Sequence, residues 1–516
     1  MDRRTLLLAA GAGGLLTACG GGDDSASGVG MSPGPATGTG TGPGSGSGPG
    51  SGSGSGSVPQ GTAPALTEGQ PLRLLARLAN TSTTPGVFEA SLMAAPVDLE
   101  LVSGFRTTFW AYNGTAPGPL IEATEGDRVR ITFVNGLSQE STVHWHGMPV
   151  PAAQDGSPMD PVPPGATRVY EFTLPADCAA SYWYHPHPHR ITHEQVFRGL
   201  AGAFIVKPRV DPLPPGLIDT PLVISDLRLD AAYRIAPNVG MDYLLGREGD
   251  FLMVNGGRRP VLAAAPAAAH RMRFFNATNA RYLRLAFDNV PMTLIGTDGG
   301  LLAAPVAGLS EVLLAPGERA EAVVSFHADS VLRALPYDRG SMMMGMSGLT
   351  SASDTILSVR VQGPAVATIA LPSTLRPITP LPAPSRTQRF EFGPSMMMGG
   401  MTGMATGAFT INGRSFDMNR IDATARVGAV ELWEVVNPTQ MDHPFHLHGT
   451  QFQVVERVRS GVATPAPYPA WKDTVNVVRG ETVRFKVRQD SPGLRMYHCH
   501  ILEHEDQGMM GVLSVS

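Results

Sequence analysis

The stretch Val129-Arg130-Ile131-Thr132-Phe133-Val134, followed by Asn135-Gly136, decides the fold class. Apolar and polar residues alternate with period two, so one face of an extended chain meets a core while the other meets water, and Asn-Gly then supplies a turn. Residues 271–276 and 483–487 read the same way. From about Pro71 onward, short runs rich in Val, Ile, Leu, Phe and Tyr alternate with Gly, Pro, Asn and Asp turns. No long stretch carries a helical period, and the expectation is an all-β protein built of Greek-key β-sandwiches.

A loose repetition sets their number. Asn113-Gly114, Asn255-Gly256 and Asn412-Gly413 each open a block that runs to a strand ending in Asn135, Asn276 or Asn437. The chain has 516 residues, more than one sandwich holds. Three consecutive sandwiches are expected at 67–210, 211–370 and 371–516, with Pro-rich joins at 207–216 and 363–385. The composition, 42% hydrophobic and 16% charged, suits a folded globular protein. A net charge of -5 gives no hint of nucleic acid as a partner, since such binding usually shows a clustered basic surface. Cys19, Cys178 and Cys499 are the only cysteines and cannot form a disulfide framework.

Residues 1–19 read as an export signal: Arg3-Arg4, an apolar run to Leu16, then small residues. The arginine pair resembles a twin-arginine signal, and Leu16-Thr17-Ala18-Cys19 resembles a bacterial lipoprotein cleavage box. Lipidation at Cys19 would tether the body on the periplasmic side, so that the membrane is a partner through the lipid alone. An ordinary secretory signal is the alternative. Residues 20–66 are dominated by Gly, Ser, Pro and Thr and read as a flexible linker.

Ten of the fourteen histidines fall into four groups: His144-Trp145-His146, His185-Pro186-His187, His443-Pro444-Phe445-His446-Leu447-His448, and His498-Cys499-His500 with His504. On a strand, His-x-His places both rings on one face. A single such pair is weak evidence, and a short cysteine–histidine cluster also fits zinc. Two imidazoles, one thiolate and a weak axial thioether form the blue-copper arrangement. His443, Cys499, His504 and Met509 supply that set.

Through these motifs, residues 71–516 closely resemble the multicopper oxidase family, with its laccase-like and cuprous-oxidase members. Weaker features agree, among them Leu314-Ala315-Pro316-Gly317-Glu318-Arg319 and Glu431-Leu432-Trp433. The resemblance implies three cupredoxin-like sandwiches and four copper ions. It implies a type 1 copper on His443, Cys499, His504 and axial Met509, and a type 2 copper on His144 and His446. It implies paired type 3 coppers on His146, His185, His187, His448, His498 and His500. It further implies O2 as acceptor, and Asp155 and Glu505 as the carboxylates that serve proton transfer, with Asp506 as a companion. The middle sandwich has no copper motif, and its His270 and His327 read as structural or exposed.

The reducing substrate is read from methionine. Residues 342–346 and 396–404 are rich in Met broken by Gly and Ser, and soft thioethers favour Cu(I). Flexible apolar filler is the alternative use of Met. Met441 and Asp442 precede His443 and are candidates for docking the ion. The expectation is a monomeric oxidase of Cu(I), possessing phenols and aromatic amines as further donors, that serves copper tolerance. A laccase-like phenol oxidase and a non-enzymatic copper-binding tolerance protein are the alternatives. Cys178 reads as a buried thiol, and His189 and His193 as neighbours of the metal site or surface residues.

Overall fold

A computed structural model describes residues 65–341, 351, 353–394 and 409–516. The export signal, nearly all of the linker and both Met-rich stretches lie outside the described residues. Six sheets form three sequential pairs. Strands from Val87 to Lys207 make two four-stranded sheets, those from Ile218 to Val361 make sheets of seven and five, and those from Arg386 to Val515 make sheets of six and five. Each pair encloses its own apolar core, centred on residues such as Phe133 and Trp145, Phe274 and Leu285, and Trp433 and Phe485.

The strand Arg128–Asn135 buries alternate residues, as its sequence pattern requires. Glu481–Arg488 does the same. The strand Ala269–Asn276 differs from its half-exposed expectation, because every residue on it is buried. Its second face carries Arg271 and Arg273, which pair with Glu321, and Arg273 also donates to Ser181 Oγ of the first sandwich. Alternation marked an ion-paired interface there rather than a wet face.

The three Asn-Gly turns share one geometry. Asn113, Asn255 and Asn412 all have positive φ, followed by glycines with φ of 77°, 77° and 71°. Each Asn side chain accepts from one backbone N–H on a neighbouring strand (Met93, Val223, Glu391) and donates to the carbonyl two residues earlier (Ser91, Pro221, Arg389). The strand-ending Asn135, Asn276 and Asn437 repeat a second pattern: the amide donates to two carbonyls while its oxygen accepts the N–H two residues on. The repetition in sequence is thus a repetition of hydrogen bonds; the strand-ending asparagines are buried, and loss of one of their buried bonds costs about 1–3 kcal/mol.

Candidate metal centre

The first and third sandwiches present their histidines in the same register. His144 lies opposite His185 across the strands His144–His146 and Ala180–His185. His446 lies opposite His498 across His443–Leu447 and Gly493–Cys499. Only His144 and His146 lie wholly within a strand; in the other three pairs the second imidazole sits just past a strand end. The extended backbone still keeps each pair together, with ring centroids 5.7, 6.1, 5.0 and 5.6 Å apart.

An approximate two-fold relation follows, pairing His144 with His446, His146 with His448, His185 with His498 and His187 with His500. Donor atoms of His146, His185 and His500 converge within 4.8 Å, and so do those of the related set His448, His498 and His187. His144 and His446, related to each other, converge with His448. Ring stacking obeys the same relation: His144 lies 3.9 Å from His448, and His146 lies 3.8 Å from His446. Three of the four His-x-His pairs therefore send their two rings to different donor groups, while His446 and His448 share the group that includes His144.

Five of the eight outer nitrogens are held by hydrogen bonds to backbone carbonyls or a carboxylate, while Nδ1 of His187 and of His500 has no hydrogen-bond partner among the described residues. His144 Nδ1 bonds Asp155 O and His446 Nδ1 bonds Asp473 O, both at 2.9 Å. His448 Nδ1 bonds Asp155 Oδ2 at 2.7 Å, while His146 Nδ1 lies 3.5 Å from Asp473 Oδ1. His185 Nδ1 bonds Pro186 O at 2.8 Å and His498 Nδ1 bonds Cys499 O at 3.0 Å. A ring that donates through Nδ1 presents a bare lone pair at Nε2. Among the described residues, Nε2 of His144, His146, His185, His446 and His500 is buried without a partner. Nε2 of His498 lies 3.0 Å from that of His448 and 3.3 Å from that of His187. Converging lone pairs in a buried site repel one another and are satisfied by a cation, so this donor set fits metal ions.

A second site lies next door on the same strand. Cys499 Sγ lies 3.5 Å from His443 Nδ1 and 4.0 Å from His504 Nδ1. Here the outer nitrogens are Nε2: His443 meets Thr439 Oγ1 and His504 meets Leu244 O, both at 3.1 Å. Met509 is fully buried in the same apolar cluster, and its carbonyl accepts from Cys499 N at 3.0 Å. Phe409 stacks on His504 at 4.0 Å. Cys499 is bonded directly to His498 and His500, so the two sites are one residue apart.

Burial fixes the protonation of these side chains. It lowers His443 and His498 to about 3, and holds His146, His185, His187, His446, His448, His500 and His504 well below the usual imidazole value. Neutral imidazole is the form that binds a metal. Burial raises the Cys499 thiol, so a metal must displace its proton.

Both expected carboxylates border the donor groups. Asp155 is fully buried and touches His144 and His448. Glu505 lies 3.1 Å from His498 Nδ1 and 3.4 Å from His187 Nε2. Burial, then the charge of Asp506, pushes Glu505 well above the usual carboxylate range. Asp506 itself accepts from His193, at 2.6 Å from Nδ1, and so ties the helix Thr192–Phe197 to the helix Leu502–Asp506. His189 packs 5.2 Å from Phe416 and joins no donor group. His270 is buried beside Thr220, and His327 is exposed. Cys178 is a buried free thiol, pushed up to about 12 by burial.

Sequence reasoning missed Asp473, the two-fold counterpart of Asp155. Asp155 follows His144 by 11 residues and Asp473 follows His446 by 27, so no common spacing reveals it. It also missed the part played by the middle sandwich. Arg319, fully buried, grips both carboxylate oxygens of Asp473 at 2.7 and 2.6 Å. In the same turn Gly317 has φ of 82°, and a Cβ there would lie 2.8 Å from the His500 ring. Leu244 of the same sandwich orients His504.

Three family models, each described as multicopper oxidase, match residues 95–211, 226–332 and 389–516. The chain belongs to the multicopper oxidase family. The multicopper oxidase mco of Staphylococcus haemolyticus is 32% identical over 414 residues, covering 78% of this chain and 83% of that one. The cell division protein FtsP of Escherichia coli is 30% identical over 468 residues, covering 87% and 90%. The solved structure "Multicopper oxidase from Campylobacter jejuni: a metallo-oxidase" is 40% identical with a TM-score of 0.82, covering 87% of this chain and 96% of that one. This multicopper oxidase is accordingly a copper-dependent oxidoreductase that uses four coppers, O2 and a reducing substrate. The coppers supply one-electron transfer and O2 binding. The protein supplies neutral ligands, their orientation and a dry surrounding.

Proposed function

We propose that this multicopper oxidase takes single electrons from Cu(I), reduces O2 to water and so serves copper tolerance. Type 1 copper is assigned to His443, Cys499, His504 and axial Met509. Type 2 copper is assigned to His144 and His446, and the type 3 pair to His146, His185 and His500 on one side and His187, His448 and His498 on the other. Asp155 and Glu505 are assigned to proton transfer. One observation carries the reading: eight buried imidazoles from the two ends of the chain converge one residue from a Cys–His–His site. The same completeness disfavours a non-enzymatic scaffold, because no donor is missing from either site.

Position supports Cu(I). The stretch at 342–346 follows Ser341, whose N–H donates to Gln440 O at 3.2 Å, and Gly340 bridges Met441, two residues before His443. The stretch at 396–404 precedes Phe409, which stacks on His504. Both stretches thus join the described chain beside the Cys499 site. Met441 and Asp442 do not support the docking role expected of them. Both are buried, and the Asp442 carboxylate is taken by Tyr337 Oη and Arg479 N. Export, lipidation at Cys19 and placement on the periplasmic side remain part of the proposal; among the described residues no helix is long and apolar enough to cross a membrane.

O2 consumption with Cu(I) and with a phenol, measured on the full chain and on variants lacking either Met-rich stretch, tests the reading. Loss of Cu(I) turnover with retention of phenol turnover is expected. Cu(I) turnover unaffected by both deletions contradicts it.

A further inference from the structure

We propose that the reducing substrate delivers its electron over the short helix Gly240–Leu245 of the middle sandwich, with the Leu244 carbonyl bridging to His504 and Met241 as the thioether that meets Cu(I). The last part rests on the Cu(I) reading above.

Neither His443 nor His504 exposes any ring surface, so a donor in solution cannot touch a ligand of the Cys499 site. The outer nitrogen of each ring shows where the cover is thinnest. His443 Nε2 is taken by Thr439 Oγ1, on a buried residue. His504 Nε2 is taken by the carbonyl of Leu244, which is only half-buried. Among the described residues, the atom that meets His504 Nε2 thus belongs to a residue that itself reaches solvent.

Other contacts hold the cover rigidly. Gln507 Nε2 donates to Tyr243 O at 2.6 Å, and Asn238 Nδ2 donates to Glu503 Oε1 at 3.4 Å. Residues 238–244 are thus pinned to residues 503–507 at three points, with Glu503 and Gln507 flanking His504. A fixed hydrogen bond from a metal-ligating ring to backbone is the contact through which a neighbouring group influences the metal.

The outer face of this cover is soft and apolar. Met241 is 39% exposed and Val239 is 55% exposed. Asp242, the acid between them and Leu244, turns inward and binds Arg228 and Val239 N. Core filling explains a buried methionine, but it does not explain an exposed one on the segment that covers His504. A thioether is a ligand suited to Cu(I). Each Cu(I) leaves as Cu(II) after losing one electron. Four such losses, with four protons from solvent, convert one O2 to two waters.

The test uses the copper-loaded full chain, Met241→Leu and Met241→Trp. Ag+ is a redox-inert stand-in for Cu(I). Mild peroxide converts exposed methionine to sulfoxide, which peptide mass spectrometry locates. Ag+ is expected to protect Met241 at least about fivefold. Met241→Leu is expected to lower kcat/KM for Cu(I) about tenfold and leave that for a phenol within about twofold. Met241→Trp, which places a bulky ring on this segment, is expected to lower both about tenfold, with copper content and the visible absorption band unchanged. If Met241→Trp leaves both donors within about twofold of wild type, the entry site is wrong. If wild type does not turn over Cu(I) while Met241→Trp still slows the phenol, the Cu(I) reading fails and the entry site stands. Absence of Ag+ protection overturns the role of Met241.

Discussion

Replacing Arg319 tests whether the middle sandwich holds the imidazole cluster together. In Arg319→Leu, Asp473 loses two bonds of 2.7 and 2.6 Å, and Asp298 loses a charge 3.8 Å away. Ser181 O, Gly317 O and Asp298 O lose donors as well. Removing one partner of a buried ion pair costs about 3–5 kcal/mol, because the other charge stays buried and unpaired. A domain is stable by only about 5–15 kcal/mol, so the loss is a large share. Lys472, 2.9 Å from Asp298, offsets part of it and places the expected cost near the lower bound, about 3 kcal/mol. Asp473 also orients His446 through its carbonyl and faces His146 through its carboxylate. The type 2 site should therefore lose copper first, since loss of such partners lowers metal affinity about 10–100-fold. Denaturant unfolding of the copper-free protein gives the stability term, and copper analysis with paramagnetic resonance of type 2 copper gives the second. A variant within about 1 kcal/mol of wild type with full copper occupancy would refute the reasoning.

Three further outcomes follow. Without copper, the protein should lose stability as pH falls from about 6.5 toward 3: His443 and His498 have folded values near 3, so only the unfolded chain takes up their protons in that window. Each contributes about 1.4 kcal/mol of destabilisation per pH unit below about 6.5, and copper loading should shift the acid midpoint downward in a circular-dichroism titration. Cys499→Ser should abolish the intense visible thiolate-to-copper band and lower copper from about four to about three per chain; a retained band would show that Cys499 is not the ligand. Glu505→Gln should keep copper content and the visible band yet slow O2 reduction about 10²–10⁴-fold in an oxygen-electrode assay, and unchanged turnover would remove Glu505 from proton transfer.

The sandwiches were legible because their signals are local. Alternation at 129–134, the Asn-Gly turns and the strand-ending asparagines are each set within a few residues, and each reappears as hydrogen bonds. The histidine groups were legible for the same reason: a two-residue spacing on extended backbone survives folding even where the second ring leaves the strand. The asymmetric support of the cluster was not legible. Arg319, Asp473 and Leu244 act across domain boundaries, and the 11- and 27-residue offsets of Asp155 and Asp473 hide their equivalence. Buried ion pairs also disguised the strand Ala269–Asn276 as a half-exposed one, since arginine reads as polar whether it meets water or Glu321.

Anomalous diffraction at the copper edge, on crystals of the copper-loaded chain, tests the central claim most directly. One peak is expected between His443, Cys499 and His504, and a cluster of three among the eight imidazoles of the first and third sandwiches. A cluster held by one sandwich alone, or no peak beside Cys499, would contradict it.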